Sequence, residues 1–332
     1  MDYWKQYVEY ISQEILTILS TQPTSVGEMI HYLNGPSHNK NTKIKINEIE
    51  NILDHLSNEG HEINSITNEK GVEEFFHIPY ETYNKNSEDS ISFGLISDTH
   101  WGAKKCDIES LNKYYEIINE RGIETVFHCG DLISGINMYE NHDEDNSLKT
   151  LDEQCLDVVE NYPNTYRGQT VFIIGNHDCI SLEESNGEKE KIDAGVKIED
   201  MAFEKGRDDL VYLGACVGRV VIDKLGNVLE LTHDINKQDY KFITQDQNDY
   251  ITINDYTTHL KIIAEGHFHK TRYYLGKNNG DSIHQFGCGT FLKPSESYLK
   301  RGLYTPISGW IVNINYEDNG SMTILPEPIY FE

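Results

Sequence analysis

Five short segments of this chain run an apolar stretch directly into side chains able to hold a cation. They are Ile96-Ser97-Asp98-Thr99-His100, Cys129-Gly130-Asp131, Ile174-Gly175-Asn176-His177-Asp178, Leu229-Glu230-Leu231-Thr232-His233 and Glu265-Gly266-His267-Phe268-His269. Side chains at a strand's end point into the crevice where open α/β sheets place their ligands. In Asp98-x-His100 and His267-x-His269 the two-residue spacing puts both side chains on one face of an extended chain. Gly130, Gly175 and Gly266 let the backbone come close to a shared centre. Oxygen and imidazole donors without a thiolate suit Mn, Fe, Zn or similar ions, and the histidines exclude an all-oxygen Mg or Ca cage. If two ions are to sit roughly 3.5–4 Å apart, one carboxylate must bridge them.

The elements that would carry these segments follow from hydrophobic periodicity. Ile91 to Ser97, Thr125 to Cys129 and Thr170 to Ile174 read as buried strands, with helices over Ile108 to Arg121 and Leu151 to Asn161 between them. Strands then follow over Val217 to Asp223, Val228 to Thr232, Leu260 to Ala264, Arg272 to Leu275 and Ser282 to Phe286. A last hairpin, Trp310 to Tyr316 and Ser321 to Leu325, turns at Asp318-Asn319-Gly320. Early β-α-β units followed by hairpins point to an α/β domain with two packed sheets.

Residues 81–90 form a polar run that reads as a linker, dividing residues 1–80 from residues 91–332. The N-terminal part shows three helical patterns. The first carries Tyr7, Ile11, Ile15, Ile18 and Leu19. The second is capped at Thr24-Ser25 and stopped by Asn34-Gly35-Pro36, and the third carries Ile46, Ile49, Ile52, Leu53 and Leu56. Glu62 to Thr67 and Val72 to Ile78 follow as a hairpin around Asn68-Glu69-Lys70-Gly71. Three helices and a hairpin resemble a winged-helix domain. Its third helix, however, carries Glu48, Glu50, Asp54 and Glu59 where phosphate contacts need cations. A protein-docking or dimerising role is therefore expected ahead of groove binding.

With 28 basic and 55 acidic residues the chain has a formal charge of −27. This argues against coating duplex DNA with the whole surface, while leaving room for a locally positive pocket. No leader segment and no stretch long enough to span a bilayer are read, and the six scattered cysteines contain no C-x-x-C pair. A cytoplasmic protein with free thiols is expected, with no membrane partner.

Taken in order, D-x-H, G-D, G-N-H-D, a single His and G-H-x-H resemble the calcineurin-like metallophosphoesterases, across about residues 91–300. The resemblance implies a four-layer metallophosphoesterase fold of the α/β class, two packed β-sheets flanked by helices, preceded by the small winged-helix-like α+β domain. It implies two divalent ions, Mn first, with Fe, Zn or Ni as alternatives. Asp98, His100, Asp131 and His269 would hold one ion; Asp131, Asn176, His233 and His267 would hold the other. A hydroxide bridging the ions would be the nucleophile, and His177, not a ligand, the general acid on the leaving oxygen.

Two positions depart from the pattern. Many members follow Gly-Asp with x-x-Asp, Asn or His, which assists the catalytic histidine; here the residue is Ser134. Asp178 is an alternative assistant, or a structural residue of its turn. Asp234 stands after His233 where glycine is usual. His128 is expected in the core or just behind the site, and His142 in a solvated acidic loop, Glu140 to Asp145. The 21 tyrosines are spread throughout and give no readable base-stacking platform. Lys104, Lys105, Lys270 and Arg272 beside the motifs could contact substrate, with Lys293, Lys300 and Arg301 further out. Gly130 to Tyr139, Gln154 and Gly287-Cys288-Gly289-Thr290 look similar to the nuclease branch, which includes the exonuclease subunit of archaeal D-family DNA polymerases and double-strand-break repair nucleases. The expected function is a two-metal phosphodiesterase on nucleic acid, an exonuclease or single-strand endonuclease. The alternatives are a small-molecule phosphodiesterase or phosphatase, and a catalytically weak scaffold docking a partner through the winged helix.

Overall fold

The computed structural model describes residues 3–35, 43–68, 70–79, 90–183, 189–233, 260–278, 281–294, 299–300, 305–317 and 322–332. The chain divides into two compact units. One is Met1–Tyr80 with Arg219–Leu229 and Tyr256–Lys261; the other is Glu81–Gly218, Glu230–Asp255 and Ile262–Glu332.

The N-terminal segment of the first unit folds as α1 (Tyr3–Thr21), α2 (Val26–Leu33), α3 (Ile46–Asn58), β1 (Ile63–Thr67) and β2 (Glu73–His77). The two strands pair antiparallel, Ile63 opposite His77. Ser25 begins α2 with a capping box. Its hydroxyl accepts the Glu28 N–H, and the Glu28 carboxylate accepts the Ser25 N–H at 2.9 Å, which satisfies two otherwise orphaned donors. Ile11, Ile15 and Leu19 of α1 meet Met29 and Leu33 of α2 and Ile49, Ile52, Leu53 and Leu56 of α3 in one apolar cluster. These are the helical stripes of the sequence, closed on one another. Residues 81–89 of the run expected as a linker, with Pro36 and Glu69, lie outside the described residues.

The remaining elements are β3 (Ser90–Ile96), α4 (Ile108–Glu120), β4 (Thr125–Cys129), α5 (His142–Asp145), α6 (Leu151–Asn161), β5 (Gln169–Ile174), β6 (Cys179–Glu183), β7 (Lys189–Asp193), α7 (Ala194–Lys205) and β8 (Leu210–Ala215). They continue with β9 (Val217–Val221), β10 (Val228–Thr232), β11 (Leu260–Glu265), β12 (Arg272–Asn278), β13 (Asp281–Gly287), β14 (Ile307–Tyr316) and β15 (Met322–Phe331). A six-stranded sheet has the order β15-β14-β3-β4-β5-β8, and a five-stranded sheet the order β12-β13-β11-β10-β9. Strands β3, β4, β5 and β8 run parallel, while β14 is antiparallel to β3.

One face of the six-stranded sheet is covered by helices. Leu111, Tyr114 and Ile118 of α4, Cys155 and Val158 of α6, and Ile198 and Ala202 of α7 pack on Ile96, Val126, Phe172 and Ile311. The other face meets the second sheet. Phe286 of β13 packs edge-on against Trp310 of β14, whose indole N–H donates to the Gly287 carbonyl at 3.0 Å. Helix layer, sheet and second sheet give the α/β metallophosphoesterase architecture. The parallel run of β3, β4 and β5 brings their C-terminal ends to one edge, and the polar segments that follow them meet there.

Candidate metal centre

Each ligand-type side chain in the cluster is fixed from behind before it reaches its neighbours. Asp98 Oδ2 accepts the His267 N–H at 2.9 Å, and Asp131 Oδ1 accepts the His177 N–H at 2.8 Å. One oxygen of each carboxylate is thus tied to backbone, and the other faces imidazoles. Asp98 Oδ1 lies 3.1 Å from His269 Nε2 and 3.9 Å from His100 Nε2. Asp131 Oδ2 lies 3.2 Å from His233 Nε2 and 4.0 Å from His100 Nε2. His233 Nδ1 donates to the Cys129 carbonyl at 2.6 Å, which turns Nε2 into the cluster. Asn176 Oδ1 is 3.1 Å from His267 Nδ1.

Three groups of side chains could hold an ion: Asp98, His100 and His269; His100, Asp131 and His177; and Asp131, His233 and His267. Asp131 is common to two of them. The donor set fits divalent ions on a further count. Asp98 Oδ1 and His233 Nε2 are fully buried and meet only the imidazole and carboxylate just named, without a well-aligned hydrogen bond, a condition an ion would relieve.

Electrostatics say the same. Burial pushes Asp98 and Asp131 up, but the histidines beside them outweigh it. Asp98 is held at about 2, chiefly by His269, and Asp131 well below the ordinary carboxylate range, chiefly by His233. Burial works against a charged His233, yet facing Asp131 lifts it to about 10. A pocket that binds a proton this tightly favours positive charge. For His100 burial and then His177 act together, leaving it well below its usual value and so in the neutral form a metal takes.

The backbone is strained at this place. Asp98, His100, Asp131, His267 and His269 all have positive φ, between 46° and 77°, a region that costs an L-residue with a side chain roughly 1–2 kcal/mol. Strain of this kind concentrates where surrounding structure holds a functional geometry. Tight packing adds to it. A Cβ on Gly175 would fall 2.3 Å from Asp131 Oδ1 and 2.6 Å from His233 Nε2, and one on Gly266 would fall 2.1 Å from Ser97 Oγ.

His177 stands beside the cluster, its ring edge-on to His100 at 4.6 Å. Its Nδ1–H donates to the backbone carbonyl of Ser134 at 2.6 Å, leaving Nε2 clear of that tie and able to join His100 and Asp131. The Ser134 hydroxyl is engaged elsewhere, donating to Asn146 Oδ1 at 2.6 Å. Asp178 does not reach His177. Its carboxylate accepts the N–H groups of Leu132, Ile133 and Gly175, locking the Asp131 loop to the Asn176 loop. Burial and then Asp131 push it up to about 6 against those three donors.

The acidic insert differs from its sequence reading. Residues 142–145 form one helical turn, and His142 is buried, not solvated. Its ring stands 5.7 Å from that of His177. Four acidic neighbours hide this from local hydropathy; the burial comes from contacts across the loop. Gln154 is also fully buried. Its carbonyl accepts the Gly135 N–H at 2.9 Å and its amide donates to the Gly135 carbonyl at 3.0 Å, so it grips the loop that orients His177.

Of the basic residues near the motifs, Lys104 donates to the Glu144 carbonyl at 2.6 Å, which ties down the insert. Lys105 and Lys270 are exposed, and the Arg272 guanidinium lies 6.0 Å from the Phe268 ring. His128 is buried in β4, near the Thr99 hydroxyl at 3.1 Å, and burial lowers it to about 3. Asp234 and Arg301 lie outside the described residues.

Residues 91–292 match the calcineurin-like phosphoesterase family. The chain belongs to this family. The phosphoesterase is metal-dependent, in keeping with the family and with the donor cluster. It is 25% identical over 108 residues to the DNA polymerase II small subunit of Halobacterium salinarum, a match covering 31% of this chain and 21% of that protein. The phosphoesterase therefore matches only about a fifth of the length of those curated relatives. Similar solved structures include a predicted phosphoesterase of Streptococcus pneumoniae TIGR4, 14% identical, covering 74% of this chain and 100% of that one at a TM-score of 0.34. Vps29 of Chaetomium thermophilum is 9% identical, covering 72% and 97% at a TM-score of 0.32. No helix among the described residues is long and apolar enough to cross a membrane.

Proposed function

We propose that this phosphoesterase cleaves phosphodiester bonds of nucleic acid, with His177 protonating the leaving oxygen. The observation that carries the mechanism is the tie between His177 Nδ1 and the Ser134 carbonyl, with the ring against His100. It fixes which nitrogen is free. Nε2 can then meet a leaving group within hydrogen-bond reach of the cluster, as a general acid must. Asp98, His100, Asp131 and His269 would hold one divalent ion, and Asp131, Asn176, His233 and His267 a second. Bound there, with manganese the first candidate, the ions supply Lewis-acid charge and an activated water. Asp131 draws the two halves of the site together, and Asp178 keeps its loop in register with that of Asn176. The partial likeness to a DNA polymerase small subunit supports nucleic acid as the substrate class.

The N-terminal helices and hairpin, read as winged-helix-like, would then serve as a docking module for a protein partner or a second copy. The exposed acids Glu50, Asp54 and Glu59 on and after α3 oppose a phosphate backbone.

Hydrolysis of labelled single-stranded and duplex DNA with added Mn²⁺, beside bis-p-nitrophenyl phosphate, tests the reading. DNA degradation should fall to background in Asp131→Ala and by roughly 10²–10⁴-fold in His177→Ala. Turnover of the small diester alone would assign a small-molecule phosphodiesterase. Silence on both, with metal bound, would assign a scaffold.

A further inference from the structure

Four aromatic rings lead outward from the cluster on the side where His177 stands. His100 and His177 are 4.6 Å apart, His177 and His142 5.7 Å, and His142 and Tyr139 4.5 Å. The inner rings are wholly or partly covered, whereas Tyr139 is 54% exposed. The outer ring is nonetheless held firmly. Its hydroxyl donates to the Asp145 carboxylate at 2.8 Å. Behind it, the Met138 N–H donates to His142 Nδ1 at 3.4 Å, so the proton of the neutral ring sits on Nε2, facing the Ser134 hydroxyl. Lys104 and Lys149 donate to the backbone carbonyls of Glu144 and Asn146.

A ring fixed in place but left half in water adds little to the fold. We propose that Tyr139 is the stacking platform of a leaving-group subsite, and that its ligand is a nucleobase next to the scissile phosphate. The inference rests on the reading of His177 as proton donor, since that puts the leaving group on this side of the cluster. Two ring steps, of 5.7 Å and 4.5 Å between centroids, separate His177 from Tyr139. Charge selects the kind of contact. Glu140, Asp143, Glu144 and Asp145 follow Tyr139 closely in sequence, so the platform repels a phosphate and accepts a neutral aromatic face.

The test is calorimetric binding to the full chain loaded with Mn²⁺, using a phosphorothioate-linked dinucleotide and two analogues lacking one or the other base. Loss of the base on one side should weaken binding roughly tenfold in the wild type. That difference should vanish in Tyr139→Ala and Tyr139→Leu and persist in Tyr139→Phe, which keeps the ring without its hydroxyl. The proposal is overturned if neither base matters in the wild type, or if the Ala and Leu variants keep the same difference. Binding is read without turnover. A protein that discriminates bases yet cleaves no DNA would therefore refute the nuclease reading and leave the platform standing.

Discussion

In residues 1–80 the buried polar side chains among those described are Ser12, Thr24 and Glu74, each keeping 4–8% of its surface in water. Around the metal cluster Asp98, Thr99, His128 and His233 keep none. The backbones differ as sharply. Among the described residues, the positive-φ positions of the N-terminal segment are glycines, Gly60 and Gly71, whereas five ligand-type residues of the phosphoesterase unit occupy that region with full side chains. One region is stabilised by hydrocarbon burial and has little to lose from local adjustment. The other holds acids, imidazoles and strained turns at the same depth, and its order serves a cation. A change of similar size should therefore read out as stability in the first and as chemistry in the second.

Glycine gives the sharpest version of that contrast. Gly175→Ala forces a methyl group onto Asp131 and His233, and misplacement by about 1 Å costs on the order of 10²-fold in rate. Steady-state hydrolysis and bound metal per chain should both fall. Gly60→Ala, at φ +98° with nothing within 4 Å, should cost about 1 kcal/mol of stability and leave hydrolysis intact. Equal effects on hydrolysis would break the comparison.

Next in size is Ile49→Ala in the N-terminal core. Deleting most of this fully buried side chain should destabilise by about 2–5 kcal/mol in denaturant unfolding, with turnover per folded molecule unchanged. A loss of turnover would show the two regions to be linked in function.

The smallest effect concerns pH. Burial, and then His177, lower His142, against the opposing pull of Asp143 and Asp145. The folded chain thus binds this proton less readily than the unfolded one. The stability it contributes is complete above about pH 6.5 and is lost as pH falls below that value through the folded-state one. Going from pH 7.5 to 5.5 should lower the melting temperature less in His142→Gln than in the wild type. Identical slopes would remove His142 from the account.

The parts legible in sequence were those where one segment carries both its pattern and its chemistry. β4, β10 and α6 fall where periodicity places them, and the strand-end segments meet at one edge. Elements defined by partners were not legible. α7 buries a stripe containing Ala194, Gly195 and Ala202, too small to give a strong apolar signal, and β8 is only half covered on most of its length. The hairpin β6–β7 carries Lys189, Glu190 and Lys191 and reads as polar loop. His142 also stands against His177, a contact that no local window contains. Nor does residue type reveal that a ligand's backbone is left-handed.

That last property bears on how such a centre can change over generations. Asparagine tolerates left-handed backbone better than most residues with a side chain, and both aspartate and histidine codons become asparagine codons by a single base change. At positions 98, 100, 131, 267 and 269 one single-base neighbour therefore keeps the turn while weakening the donor. A lineage can leave catalysis by that route with its architecture intact, and turn the inherited surface to holding partners.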